Sequence, residues 1–326
     1  MTRLPKSAPS SEANERLGRG NPPPHSYSTN NMLTLKGIIN SERTLPYLLL
    51  APLLLLLFTV ILFPFLWNFY ISLFDLKTTN LLTGAPFAGL SNYLKLFHDP
   101  TFFHSLGVSL YFVIGSLLGQ FGLGVILALI LHYHPGPARF FRVVFIVPWI
   151  LSALIIGYSW IWMYNYQGGM INSILHAVGL QPIHWLNNMK MALWALVIAN
   201  IWRGTPFTML FVEAGLKTIP SEPYEAARVD GATSWQSFWY ITIPLLRPTL
   251  TINLILTTMW TFNLFDTILV MTRGGPANAT LTTAMYMYKS AFEYGLLSYG
   301  AAIAIVMLAI NALLAVLYFY TMGRQK

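Results

Sequence analysis

The sequence predicts an all-α polytopic membrane protein, and three observations carry that prediction. Charged residues make up only 9% of the 326 positions, while 55% are hydrophobic and 15% aromatic, too little polar side chain to cover a water-facing surface. Six segments of roughly 20 residues are almost free of charge, the length at which a helix crosses a bilayer. Between the fourth and fifth lies a charge-rich stretch, Lys217–Arg247, that reads as a helix-turn-helix outside the membrane.

Residues 1–40, with Pro22, Pro23 and Pro24 and many Ser and Asn, cannot bury enough apolar surface to offset their ordering entropy and are expected to form a disordered tail. A long polar stretch before the first apolar run, with no small-residue cleavage site after it, argues against a signal peptide. The membrane domain is expected over 41–326. Its first span is Leu45–Tyr70, the second about Leu106–Leu131, and the third about Val143–Tyr164, interrupted by Pro148. The fourth, about Ala192–Val212, contains Arg203; the fifth, about Leu250–Met271, contains Asp266; the sixth is about Ala301–Tyr320. With no water available to their backbones, helix is the conformation expected of each.

An even number of spans puts both termini on one side of the membrane. The tail, the turn at His132–Arg142, the stretch Lys217–Arg247 and the C-terminus hold 13 Lys and Arg, against five in the opposite loops, so the termini are predicted to be cytoplasmic in a multi-pass cell (plasma/inner) membrane protein. The net charge of +8 therefore marks a membrane side rather than nucleic-acid affinity. With no cysteine in the chain, disulfide, thiolate and iron–sulfur chemistry are excluded.

The stretch Lys217–Arg247 carries six charges, three of each sign, in 31 residues. Ser221 can cap a first helix whose first turn holds Glu222 and Pro223. Glu225, Ala226, Ala227 and Val229 continue it until Asp230 and Gly231, where glycine supplies a left-handed C-cap. Thr233 or Ser234 can cap a second helix through Trp235, Phe238, Trp239 and Ile241, with Pro244 and Pro248 punctuating the approach to the fifth span. An amphipathic segment lying on headgroups is the plain alternative, but acidic Glu222, Glu225 and Asp230 would face anionic lipid unfavourably. Small Ala226 and Ala227 beside Glu225 suit close approach of a protein partner.

Charges inside spans are functional candidates because they are costly to place there. Arg203 either holds a polar or anionic substrate group or pairs structurally with a carboxylate such as Asp266 or with carbonyls freed by Gly204 and Pro206. Asn263 and Asp266, one turn apart on the fifth span with Trp260 and Phe262 near by, offer the rings and hydrogen-bonding groups that a sugar needs, although such aromatics also serve as packing or interface anchors. Glu213 reads as interfacial at the end of the fourth span. His132 and His134 lack a third metal ligand, and no metal or cofactor site is expected. Gly115 and Gly119 form a G-x-x-x-G whose ordinary meaning is close helix packing. Gly274-Gly275-Pro276 reads as an outward turn. No G-x-x-x-x-G-K-[ST] phosphate loop is present, nor H-E-x-x-H, so no catalytic residue is assigned and energy must come from a partner.

Glu225-Ala226-Ala227, three residues, Gly231, nine residues, then Ile241-Thr242-Ile243-Pro244 resembles the E-A-A…G…I-x-L-P loop of permease subunits of ATP-binding-cassette (ABC) importers, departing only in Ile243 for the usual Leu. Gly215-Leu216, Ile219-Pro220, Asp230-Gly231-Ala232, Phe265-Asp266 and Thr272-Arg273-Gly274-Gly275-Pro276 resemble the sugar-type branch with six-helix permeases, over about residues 42–324. The resemblance implies a type I importer permease fold and a coupling loop over about 217–248, seated in a cleft of a cytoplasmic ATPase homodimer. In that family two ATPase subunits closing over ATP carry these helices together; Gly231 would fix the angle between the loop's halves and Glu225 would pair with a basic group of the ATPase. It also implies a second six-helix permease, in a heterodimer, and an extracytoplasmic solute-binding protein delivering a sugar or polyol phosphate. An ion-coupled secondary transporter is the rival class, for which acidic or His relays and an internal repeat would be expected.

Overall fold

A computed structural model describes residues 45–323; the expected N-terminal tail lies outside the described residues. Among the described residues the secondary structure is helical, with a single isolated bridge between Phe74 and Phe87 and no strand. Among the described residues five helices are long and apolar enough to cross a membrane, and a bent pair brings the number to six if it crosses as one broken span.

The chain divides into two units, residues 1–60 and 61–326. The described part of the first is α1 (Leu45–Leu57), with Pro52 inside it, and the start of a π-helical turn, Phe58–Leu62. Its residues from Pro46 to Val60 are exposed, as a lipid-facing helix requires. Thr59 satisfies its hydroxyl on the carbonyl of Leu55 at 2.8 Å, which lets a polar side chain sit in an apolar run.

The second unit holds everything that positions the sites below. Helix α2 (Phe63–Ser72) packs on the last helix, where Asn68 reaches the Ala301 carbonyl. A loop then carries α3 (Ser91–Phe97), and Asn92, 3% exposed, pins it by donating to the carbonyls of Ser72 and Phe74. Asp99 caps α4 (Pro100–Tyr133), accepting from the Thr101 amide at 2.8 Å. Next come α5 (Pro135–Ile150) and α6 (Ala153–Met163), which meet at 98°. The third span is therefore not one interrupted helix as the sequence suggested. The break falls at Leu151–Ser152, three residues beyond Pro148, where the backbone turns extended and the Ser152 hydroxyl begins a new helix by accepting from Ile155.

A short α7 (Met170–Ala177) precedes α8 (Met191–Leu216), which packs along α4. Glycines permit that approach: a Cβ added to Gly119 would come within 2.2 Å of Ile201, and one on Gly124 within 2.6 Å of Thr208. The expected role of the G-x-x-x-G is borne out at Gly119, and Gly115 also faces α8 through Val197.

After α8 come α9 (Glu222–Val229), α10 (Ser234–Ser237), a π turn (Phe238–Thr242) and α11 (Ile243–Phe262). The loop's second helix thus does not stop before the fifth span but runs into it. Pro244 falls at the N-terminal end of α11 directly after the π turn, a place where a missing amide is tolerated, and Pro248 is carried inside the helix. The fifth span, expected to be continuous over about Leu250–Met271, is broken. The Asn263 carboxamide donates to the Met259 carbonyl at 2.7 Å, and the chain restarts in α12 (Asp266–Met271), with Asp266 accepting from the Thr267 amide at 2.6 Å. Asn263 and Asp266 are consequently on either side of a break, not one turn apart on a single helix. Finally α13 (Thr283–Tyr288) leads to α14 (Leu297–Gly323).

Candidate functional site

The loop after α8 is built as two halves around Gly231. Ser221 does not cap α9 with its side chain; its own backbone is helical, and its carbonyl takes the amides of Tyr224 and Glu225. The other end follows the expectation closely. Gly231 stands at φ +76°, its amide bonds the Arg228 carbonyl at 3.2 Å, and the Ala232 amide bonds the Ala227 carbonyl at 2.9 Å, a Schellman closure. No atom lies within 4 Å of a Cβ added there, so backbone conformation and not crowding asks for glycine. Thr233, rather than Ser234, caps α10: its hydroxyl accepts from the Gln236 amide while the Gln236 carboxamide accepts from the Thr233 amide at 2.7 Å.

Glu225, Ala226, Asp230 and Gly231 are exposed, and Ala227, Ile241 and Pro244 are half-buried. A cleft of about 300 Å³ runs between Ala227, Asp230, Gly231 and Ile241. Two residues that sequence reasoning passed over hold the halves together: Tyr224 and the fully buried Thr242 share a hydroxyl–hydroxyl bond of 2.9 Å. Glu213, expected at an interface, is instead 2% exposed and accepts a two-pronged bond from Arg142 and another from Lys217 at 2.9 Å. That cluster ties α5 to the end of α8.

A second site lies among α4, α5, α8 and α11. Gln120, Trp149, Asn200, Arg203, Phe207, Thr257, Trp260 and neighbouring residues line a cavity of about 280 Å³. Aromatic rings meet along one side, Trp149 against Phe207 at 6.0 Å and Phe207 against Trp260 at 4.7 Å. Gln120 presses on Gly204 and donates to the Asn200 carbonyl at 3.0 Å. Asn200 Nδ2 and Thr257 Oγ1 are buried without a hydrogen-bond partner among the described residues, which is costly unless something else meets them. Arg203 pairs with Asp266 at 3.2 Å and with the Thr267 hydroxyl at 2.8 Å, so the structural partner considered for it is present. Arg203 and Trp260 line the cavity, whereas Asp266 stands behind Arg203 and Asn263 turns toward Asn311 at 3.3 Å. Gln120, Asn200 and Thr257 carry no charge and lie inside apolar spans, so they do not stand out in the sequence as Arg203 and Asp266 do; a carboxamide one turn before an intramembrane arginine is the signal that Asn200 offers.

At the far end of α4, Tyr286 and Tyr299 both donate to Asp99 Oδ2, at 2.5 and 2.6 Å. Burial pushes the Asp99 carboxyl up, but these bonds and the Thr101 amide outweigh it and hold it below the usual carboxylate range. Tyr286 is pushed up to about 12, first by burial and then by its bond to Asp99.

Residues 120–324 match the model of the family described as binding-protein-dependent transport system inner membrane component. The chain belongs to this family. The permease is similar to a probable ABC transporter permease of Pyrococcus horikoshii, 36% identical over 86% of this chain and 98% of that one. It is also similar to the trehalose/maltose transport system permease of Thermococcus litoralis, 37% identical over 81% and 89%, and to the sulfoquinovosyl glycerol permease of Agrobacterium fabrum, 35% identical over 85% and 90%. In fold, it matches the crystal structure of a bacterial ABC transporter that imports the acidic polysaccharide alginate, with a TM-score of 0.75 over 86% of this chain and 96% of that one at 20% identity. The permease thus has the fold the sequence predicted and functions as an inner-membrane transport component; the ion-coupled secondary transporter is not favoured.

Proposed function

We propose that the permease forms half of a translocation pathway for a sugar or related polyol, driven by a cytoplasmic ATPase homodimer and completed by a second, different six-helix permease. An extracytoplasmic binding protein delivers the substrate. The chain itself hydrolyses nothing. Both termini lie in the cytoplasm, on the side marked by 13 of the 19 Lys and Arg. The α9 knob seats in the ATPase, with Glu225, Ala226, Ala227, Asp230, Gly231, Ile241 and Pro244 forming the contact and its frame. The observation that carries the substrate reading is the membrane cavity: three rings, Arg203, and buried Asn200 and Thr257 atoms with no partner among the described residues. Rings stack on a sugar's apolar face, and unsatisfied donors and acceptors meet its hydroxyls. Arg203 and Trp260 contact substrate, and Asp266 holds Arg203 in place. The names of relatives that move trehalose/maltose and, in Rhizobium radiobacter, lactose support the same class.

The test is ATP-dependent uptake of maltose, trehalose or lactose into proteoliposomes holding both permeases and the ATPase, with the binding protein outside. Trp260→Ala should lower uptake while leaving assembly intact. Uptake driven by an ion gradient without the ATPase overturns the reading.

A further inference from the structure

We propose that a pocket between residues 164–167 and 184–187 is a second saccharide site, which receives neutral sugar at the outer face before it reaches the membrane cavity. The proposal rests on the orientation and substrate class given above. The pocket measures about 450 Å³, and Tyr164, Asn165, Tyr166, Gln167, Trp185 and Asn187 are among its walls. It shares no lining residue with the membrane cavity.

Its walls are fixed from behind. Tyr164 donates to the Ala195 carbonyl of α8 at 3.0 Å, anchoring the end of α6. Asn172, 3% exposed, spends its whole carboxamide on shape: it donates to the carbonyls of Asn165 and Ile183 and accepts from the Ile183 amide and the Trp185 indole, all at 3.0–3.2 Å. The front is left open. Tyr166 and His184 lie parallel at 3.8 Å, Tyr166 being 44% exposed, and Trp185 packs on Tyr164 at 5.2 Å. The Tyr166 hydroxyl, the Gln167 and Asn187 carboxamides and the His184 ring make no hydrogen bond among the described residues.

Flat rings beside unspent carboxamides, with no Asp, Glu, Lys or Arg in the lining, match a polyhydroxylated uncharged ring. A phosphate or carboxylate ligand would ask for a cation, which the pocket does not supply.

The test is saturation-transfer NMR on the complete transporter in nanodiscs without its binding protein, with maltose, trehalose and lactose as probes and glucuronate as the charged control. Wild type should transfer saturation to the neutral sugars and not to glucuronate. Tyr166→Ala should lower the transfer about fivefold, the effect of losing one stacking face, and Asn187→Ala should lower it with the same assembly. Trp260→Ala should reduce uptake and leave in place the part of the transfer that Tyr166→Ala removes. Unchanged transfer in both pocket variants, or none in wild type that still imports the sugar, overturns the outer site alone. Neither import nor transfer overturns the sugar reading beneath it. Weakened capture of the binding protein with transfer unchanged makes the pocket a protein-docking surface and also sinks the proposal.

Discussion

The α9 knob and the membrane cavity differ in how far apart in sequence their parts lie. The knob draws on one stretch, Glu222 to Pro244, and its shape comes from local bonds: a Schellman closure at Gly231, a capping box at Thr233, and the Tyr224–Thr242 bond. The cavity draws Gln120, Trp149, Arg203 and Trp260 from four helices. A contiguous site announces itself through spacing, whereas a dispersed one is made by packing and is only hinted at by costly residues. The same contrast governs failure: a change in the knob should spare the fold and interrupt function, while a change between helices should reach the fold first.

The largest effect tests the knob. Glu225→Lys or Gly231→Asp should leave insertion near wild type and lower substrate-stimulated ATP hydrolysis, Glu225→Lys by about 30-fold or more, the cost of breaking one side of a desolvated charge pair, and Gly231→Asp by altering the turn that sets the angle between the loop's halves. Normal stimulation in both variants would mean that this helix is not the seat of the ATPase. Next in size, Glu213→Ala should destabilise the permease by about 3 kcal/mol in a detergent unfolding assay, because Arg142 loses its buried carboxylate; a change within error would show that water replaces it freely. Gly124→Ala should cost about 2 kcal/mol, since the new methyl meets Thr208 and the Met209 backbone amide. Gly231→Ala, by contrast, meets no atom and should cost only about 1 kcal/mol through its positive φ, with Gly231→Asn milder still. If Gly231→Ala proves worse than Gly124→Ala, the division between local and packed sites fails.

The smallest effect is one of pH. The Asp99 carboxyl is held below its ordinary value of 3.8, so the stability it adds is present above that value and is lost as pH falls through its folded-state pKa. The stability difference between wild type and Asp99→Asn should therefore be constant from pH 7 to about 5 and shrink below about 4. A difference that grows on acidification would refute the network of Tyr286, Tyr299 and Asp99.

Much of the fold was legible because membrane spans report themselves in bulk composition: charge scarcity and segment length need no tertiary information. The two missed helix breaks share one cause. The break at Ser152 and the break between Asn263 and Asp266 lie inside apolar runs, where hydropathy is blind and a single hydroxyl or side-chain amide competes with the helix ladder. Pro244 and Pro248 do fall at the approach to the fifth span, but helix runs through both, since a π turn and a helix start absorb the first of them.

The sequence by itself determined the helical, membrane-spanning character of the chain, the helix-turn-helix after the fourth span and the glycine that ends its first helix, because each depends on residues near one another in the chain. Only the tertiary structure decided that Arg203 answers Asp266, that Glu213 is enclosed by Arg142 and Lys217, and that Asn200 and Thr257, from separate helices, come together in the wall of one cavity. Those relations join residues far apart in sequence wherever separate helices meet, 71 positions for Arg142–Glu213 and 63 for Arg203–Asp266, apart from the local Glu213–Lys217 pair, and helix packing alone sets which side chains then face each other.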